Sequence, residues 1–446
     1  NYTLTGGTHQ LTVNQRPLNA TLARQYDATT TSAGSTLSSF DALQGGETLT
    51  MSGSGTAASK NVANGIAMSS NGTLALVDGT GLASNYSLNS TVINISKRVL
   101  NSSGSKTYDA NTDALASAIT LSNLASTETL VDSGTASTSS ANAGSYTISN
   151  LTGISIADGT NGGLASNYTL TGGTHNFTIN RRVVGVSGTR LYDATTNAVA
   201  SDLATHANLV GSQTLSLSGT GTIASKNVGS NKTVSIGTLA LGNGSNGGLA
   251  GNYTLTGGTH QLTVNQRPLV ASFSRLYDGT TTINSDDTSN VSISFNALQG
   301  GENLTMDGTG TVSSKNVSAG SQSVISVNLA LADGTGGTAG LASNYSLSSS
   351  NLTINKKPIS TVYLSRQYNA SNSVAGSDLS SMTGLIGSET LTLSGSATMS
   401  SANVGTNSVN AALFTLGNGS NGGLANNYTI SGGSHTMIIT QRPLNA

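Results

Sequence analysis

Two tyrosine-centred motifs recur in step along the 446 residues, and this recurrence constrains the fold more than any other feature. Asn-Tyr occurs at Tyr2, Tyr86, Tyr168, Tyr253, Tyr345 and Tyr428, and Tyr-Asp or Tyr-Asn follows at Tyr26, Tyr108, Tyr192, Tyr277 and Tyr368. The second tyrosine always lies 22 to 24 residues after the first. A fixed period of this kind denotes an array of similar modules rather than one large globule. Residues 1–18 return letter for letter at 252–269, and the closing QRPLNA repeats residues 15–20. We therefore expect a stretch cut from a longer array.

The four prolines mark the module boundaries. Pro17, Pro268, Pro358 and Pro443 each follow a basic pair or Gln-Arg, and Lys97-Arg98-Val99 and Arg181-Arg182-Val183 keep the basic pair with valine in place of proline. Proline stiffens the chain and favours an extended predecessor. The resulting organisation is the end of one module at 1–16, five complete modules at 17–98, 99–182, 183–267, 268–357 and 358–442, and the start of another at 443–446.

Within a module the apolar period is two. Leu262-Thr-Val264 and Leu352-Thr-Ile354 alternate, as do the runs at 47–51, 213–217 and 389–393, with Gly, Asn, Asp and Ser clusters between them. That pattern predicts five to seven strands per module, with one helical turn near Ser39–Leu43 and Ser294–Leu298 and no long amphipathic helix. The fold class is all-β: a tandem array of small modules, β-grasp-like or Ig-like sandwiches, forming an extended rod. A continuous β-solenoid is the alternative, but the proline junctions and the lack of a 20-residue period argue against it. A module of this size spans about 25–35 Å, so five should give a rod on the order of 150 Å. Small-angle scattering that reported one compact globule would defeat this expectation.

Composition narrows the function. Charged residues make up 8% and the net charge is −1, against about 25% charged in ordinary domains. Such a surface attracts neither nucleic acid nor anionic lipid strongly, and no apolar run is long enough to be inserted in a membrane. Cysteine is absent, which excludes disulfides and zinc–thiolate sites. Tryptophan is absent too, so each module can bury only a modest core, and both motif tyrosines belong in it.

Few residues suggest chemistry. Asp78, Asp158 and Asp333 precede glycine and could be calcium ligands, yet Asn243 and Asn418 stand at the same phase. A turn that needs a side-chain acceptor suits both residue types, so no cofactor is expected. His9, His175, His260 and His435 fall in different modules and read as surface residues on strand edges, with His206 isolated. Arg24, Lys106, Arg190, Arg275 and Arg366 each precede the second motif tyrosine by two. Positions i and i+2 share a strand face, so these stems are expected to lie over the sheet beside the tyrosine ring, in cation–π contact. Lys60-Asn61, Lys226-Asn227 and Lys315-Asn316 raise the idea of an isopeptide crosslink. Ala141 and Ala402 replace the lysine in the other modules, which speaks against it. No nucleophile–base–acid set repeats and no phosphate-binding loop exists, so no enzyme is expected.

The Tyr-Asp-Ala/Gly-Thr motif (Tyr26-Asp27, Tyr192-Asp193, Tyr277-Asp278, with Tyr108-Asp109 followed by Ala-Asn), Ser-Lys-Asn-Val, Gly-Leu-Ala-Ser-Asn-Tyr and the closing Leu-Thr-Val/Ile-Asn strand together resemble YDG-type repeats. These occur, often beside MBG repeats, in filamentous-haemagglutinin-like adhesins of Gram-negative bacteria. Asn369 departs from the pattern where Asp is usual, and module 99–182 departs by lacking Ser-Lys-Asn-Val. The resemblance implies a secreted or surface-held exoprotein of the two-partner type, whose repeats form the stalk of an adhesin or the fibre of a biofilm matrix. Partners would be polysaccharide or other copies of the chain, bound weakly and repeatedly if the modules bind at all.

Overall fold

The computed structural model describes residues 2–3, 5–148, 151–326 and 328–444. Residues 1, 4, 445 and 446, in the short terminal fragments expected at 1–16 and 443–446, lie outside them. Two compact units are present. The first comprises residues 1–185, 206–216 and 240–258, and the second 186–205, 217–239 and 259–446. Repeats 1 and 2 lie in the first, repeats 4 and 5 in the second, and repeat 3 contributes to both.

Repeat 1 shows how these residues make a sheet. Its strands are β1 (Arg16–Gln25), β2 (Thr31–Ala33), β3 (Leu37–Phe40), β4 (Leu49–Ser52), β5 (Ser54–Ala57), β6 (Ala63–Ser70), β7 (Ala75–Asp78) and β8 (Tyr86–Ser96). Alternate residues of β1 and β8 are apolar, and Leu18, Ala20, Leu22, Ile93 and Ile95 are fully buried. The two strands run parallel in register from Arg16↔Tyr86 to Gln25↔Ser96. The sheet order is β2-β5-β6-β8-β1-β3, so the first and last strands of the repeat sit side by side in its interior. That is the order of a β-grasp sheet without its helix, not of an Ig sandwich. The same four-strand centre recurs in repeats 2, 4 and 5. In repeat 3, Val186–Leu191 pairs in parallel with His260–Asn265.

Three local expectations need correction. Repeat 1 has eight strands rather than five to seven, because the run from Leu49 breaks at Gly53 and its halves pair differently. β4 pairs with β7 and β5 with β2. Gly53 turns that corner at φ +74°, and a Cβ there would stand 2.0 Å from the Thr73 carbonyl oxygen. The helical turns expected at Ser39–Leu43 and Ser294–Leu298 are not present: Ser39 lies in β3, which ends at Phe40, and Ser294 lies in the strand Val291–Phe295. At Val291–Phe295 the alternation of apolar and polar residues favours the strand. The helical elements among the described residues are single 3-10 turns, such as Ala83–Asn85 just before β8.

Consecutive repeats are joined by one residue. β8 ends at Ser96 and the next strand begins at Arg98; the strand ending at Asn265 is followed by one beginning at Arg267. The hydrophobic core does not respect this boundary. One cluster unites Ala20, Leu22, Tyr26, Ile93 and Ile95 of repeat 1 with Leu100, Ala125 and Tyr168 of repeat 2. A second runs from Phe273 and Tyr277 of repeat 4 to Tyr428 and Met437 of repeat 5. A module this small leaves too much surface open, and sharing the apolar face with a neighbour closes it.

Candidate functional site: the junction between repeats

The first motif tyrosine starts the last strand of repeats 1 and 4, and in repeats 2, 3 and 5 a two-residue strand just before the last one; the second directly follows the long opening strand of its repeat. Because those strands are parallel, the two tyrosines of one repeat sit at opposite ends of the pair. Each second tyrosine therefore meets the first tyrosine of the following repeat. Tyr26 packs edge-on against Tyr168 with centroids 5.4 Å apart, Tyr108 against Tyr253 at 5.3 Å, Tyr192 against Tyr345 at 5.3 Å, and Tyr277 against Tyr428 at 5.4 Å. All eight rings are buried. Burial was the expectation; the partner in another repeat was not.

A third residue ties each pair together. The hydroxyls of Tyr26 and Tyr168 both donate to the carboxylate of Glu128, each at 2.6 Å. Glu302 accepts from Tyr192 at 2.7 Å and Tyr345 at 2.8 Å, and Glu389 from Tyr277 at 2.7 Å and Tyr428 at 2.5 Å. A lysine from the earlier repeat neutralises the carboxylate: Lys60 reaches Glu128 at 2.9 Å, Lys226 reaches Glu302 at 2.6 Å, and Lys315 lies 3.9 Å from Glu389. Lys60 and Lys226 also stand 5.9 Å from the centroids of the Tyr26 and Tyr192 rings. The junction of repeats 2 and 3 is neutral. Gln213 replaces the glutamate, donating to the Tyr108 hydroxyl at 3.0 Å and accepting from Tyr253 at 2.5 Å, and Ala141 replaces the lysine.

The asparagines form a second tie. The Asn167 amide accepts from Val62 N at 2.9 Å and donates to Asn61 Oδ1 at 3.0 Å. Asn252 does the same with Ala143 and Asn142, Asn344 with Val228 and Asn227, and Asn427 with Val317 and Asn316. The Lys-Asn pairs thus serve the junction, the lysine toward a carboxylate and the asparagine toward another amide. That arrangement is not an isopeptide crosslink.

The basic residue before each second tyrosine takes a different partner from the one expected. Arg24 pairs with Asp27 and donates to the Thr29 carbonyl at 2.6 Å. Lys106 pairs with Asp109, Arg190 with Asp193, and Arg275 with Asp278. The aspartate also accepts from the backbone N two residues on, as Asp27 does from Thr29 and Asp278 from Thr280, both at 2.9 Å. Ala28, held left-handed at φ 65°, completes the turn. A planar carboxylate that is already fixed in a turn attracts the guanidinium more strongly than the ring face does, and the clamp sets the direction in which the tyrosine leaves its strand. Asn369 caps its turn alike, accepting from Ser371 N at 3.1 Å, and Arg366 reaches Asp378 instead.

Two further groups are placed differently or more clearly than the sequence indicated. His175, His260 and His435 are buried, not on exposed strand edges. The His435 ring bridges Val362 N at 3.1 Å and the Ile430 carbonyl at 3.2 Å, and His175 bridges the Ser102 hydroxyl and the Leu170 carbonyl. A ring that satisfies two backbone groups replaces water there and can be enclosed. His9 is exposed. At the Asp-Gly turns, Asp78, Asp158 and Asp333 accept from Ala83, Ala165 and Ala342 N at 2.7 Å. Asn243 and Asn418 accept from the equivalent alanines at 2.8 Å. Aspartate and asparagine do one job, with the oxygen committed to the backbone.

Sequence reasoning missed the Glu and the paired asparagines of the junction. The signal was present: Glu47, Glu128, Gln213, Glu302 and Glu389 share a phase 39 to 43 residues before the Asn-Tyr tyrosine. Repeat 2, which has Ala141 in place of the lysine, is also the one followed by glutamine.

The YDG domain family matches residues 9–93, 96–175, 178–263, 259–354 and 355–436. The chain belongs to the YDG domain family. No curated protein shows significant similarity to it. The junction described above is therefore a contact between successive YDG domains.

Electrostatics gives these junctions a pH dependence. Burial alone would raise the Glu128 carboxyl, but hydrogen bonds from Tyr168 and Tyr26 and the ion pair with Lys60 outweigh it, holding the pKa below the ordinary carboxylate value. Glu302 is lowered against burial in the same way by Lys226, Tyr192 and Tyr345. A depressed carboxylate stabilises the fold above its unfolded pKa, and that stability is lost as pH falls through the folded one. Hydrogen-exchange protection across these two junctions, corrected for intrinsic rates, should fall as pH drops below about 4. The Gln213 junction should hold better; equal loss at all three would refute the assignment. Burial and Glu128 together push the Tyr168 hydroxyl up to about 12, so its contribution is lost only as pH rises through that range.

Proposed function

We propose that this array is the load-bearing stalk of an extracellular bacterial adhesin or surface filament, structural rather than catalytic, which projects a binding tip or builds a matrix fibre. The observation that carries this reading is the parallel pairing of the first and last strands in each YDG domain. Tension applied along the chain pulls Arg16 and Ser96 apart, and these residues lie at opposite ends of the β1–β8 pair. The load runs along the strands, across hydrogen bonds that lie roughly crosswise to it, so the bonds must fail together rather than one by one. Repeat 4 has the same geometry from Arg267↔Tyr345 to Leu276↔Asn355. The repeated chemistry also serves connection: tyrosines, glutamates, lysines and asparagines are spent on the next domain. The low charge suits an exposed stalk that avoids nucleic acid and membranes, and the resemblance to adhesin repeats supports a surface-held or secreted location.

Single-molecule pulling tests this. The chain has no cysteine, so introduced thiols give unambiguous handles. Handles at Asn14→Cys and Ser96→Cys load β1 and β8 in shear, whereas handles at Asn14→Cys and Ser87→Cys peel them apart. Shear should require several-fold more force, with about 250–300 Å of contour released per domain, as expected for some 85 residues. Equal forces would remove the mechanical argument. Polysaccharide binding that strengthens with the number of repeats would make the domains binding modules instead.

A further inference from the structure

The four internal junctions come in two chemical forms, and the form is chosen by both sides together. Lys60, Lys226 and Lys315 on the downstream face of one domain meet Glu128, Glu302 and Glu389 on the upstream face of the next. Ala141 is followed by Gln213, whose amide takes over both tyrosine contacts. A glutamate opposite alanine would leave a carboxylate enclosed without its counter-ion, which is costly.

Two faces present related chemistry with no domain against them among the described residues. The upstream face of repeat 1 carries Glu47, Asn85 and Tyr86, with the Tyr86 hydroxyl donating to Glu47. A cavity of about 420 Å³ lies there, lined by Arg16, Gln44, Glu47, Asn85 and Tyr86 among others. Gln44, Glu47, Asn85 and Tyr86 correspond to Ala125, Glu128, Asn167 and Tyr168, the residues around Tyr26 and Val62 at the first junction. Asn85 is exposed, whereas Asn167, Asn252, Asn344 and Asn427 are buried at 0–2%. The downstream face of repeat 5 carries Tyr368, 38% exposed, and Val404, 49% exposed, beside Ala402 and Asn403. Tyr26, Tyr192 and Tyr277, its counterparts, are at 0%.

We propose that these faces are addressed docking surfaces for YDG domains. The upstream face of repeat 1 takes a domain presenting Tyr with Lys-Asn, and the downstream face of repeat 5 takes a domain presenting Gln with Asn-Tyr. Glu47 and Ala402 are a mismatched pair, so these two faces do not select each other. This goes beyond the stalk reading and does not depend on it, since it concerns which domain can follow which.

The test is a four-way comparison of the full chain by sedimentation velocity over a concentration series. Wild type pairs Glu47 with Ala402 and should stay monomeric. Ala402→Lys creates the Lys–Glu match and Glu47→Gln creates the Ala–Gln match; each should self-associate at least about tenfold more tightly than wild type, a difference of about 1.4 kcal/mol. The double variant opposes Lys to Gln and should return toward wild type. Adding Tyr368→Ala to either single variant should abolish the association, showing that this face is used. The proposal is overturned if wild type associates as tightly as the single variants, if neither single variant gains, if the double variant matches them, or if association survives Tyr368→Ala.

Discussion

Tyr277→Ala should cost about 3–5 kcal/mol, the range for truncating a fully buried aromatic, while Tyr368→Ala should cost under about 1 kcal/mol, as at a partly exposed site. The two residues occupy the same motif position, each directly after the equivalent strand of its repeat. Tyr277 is fully buried, packs edge-on against Tyr428 and donates to Glu389. Tyr368 is 38% exposed, with no second ring against it among the described residues. The difference between the two costs therefore measures what a following domain contributes. Denaturant unfolding with hydrogen exchange resolved to repeats 4 and 5 reads both. If Tyr368→Ala proved as damaging as Tyr277→Ala, the tyrosine would act inside its own domain and the junction would be incidental.

The second large effect is expected where the array is neutral. Gln213→Glu should destabilise repeats 2 and 3 by about 2–4 kcal/mol at neutral pH, because it encloses a carboxylate where no lysine reaches. The two tyrosine hydroxyls at Tyr108 and Tyr253 would still serve it, which keeps the cost from being larger. Ala141→Lys alone should change stability by less than about 0.5 kcal/mol, as a partly exposed substitution. Together the two should recover about 1–3 kcal/mol, the coupling of a contacting pair. The pH sign is the opposite of that at Glu128. Burial without a counter-ion raises the new carboxyl's pKa, so the Gln213→Glu deficit should shrink as pH falls and the group protonates. Additive single effects, or a deficit that grows in acid, would show that charge pairing does not set the junction.

Much of the architecture was legible because it is local. The spacing of Tyr26 after Tyr2 and Tyr277 after Tyr253 reveals the repeat, and the alternation in Leu262-Thr-Val264 reveals the strand. The shared phase of Asp158 and Asn243 points to a turn that needs a side-chain acceptor, and both oxygens accept from the backbone there. The junction was harder to read, because its members are far apart: Tyr26 meets Glu128 and Val62 meets Asn167 across roughly a hundred residues. Strand periodicity says nothing about such distances. The arginines illustrate a different failure. Arg24 and Tyr26 do share a strand direction, but the Asp27 turn offers a fixed carboxylate, and electrostatics outweighs the ring.

One hexapeptide separates what the sequence determines from what the tertiary structure decides. His-Gln-Leu-Thr-Val-Asn occurs at residues 9–14 and again at 260–265. At 260–265 it is a strand with Leu262 and Val264 buried at 0% and 1%, paired in parallel with Val186–Leu191 and antiparallel with Gly229–Ser235. At 9–14 it forms no strand, and Leu11 and Val13 are 88% and 84% exposed. The residues determine that this segment is able to be a half-buried strand, since alternation and β-branching are properties of the letters. Whether it becomes one depends on strands on either side to satisfy its backbone and cover its apolar face. The same holds for the tyrosines. Their identity and spacing belong to the sequence, but for Tyr26, Tyr192 and Tyr277 the edge-on ring partner and the carboxylate come from the next domain, because a module this small cannot close its own core.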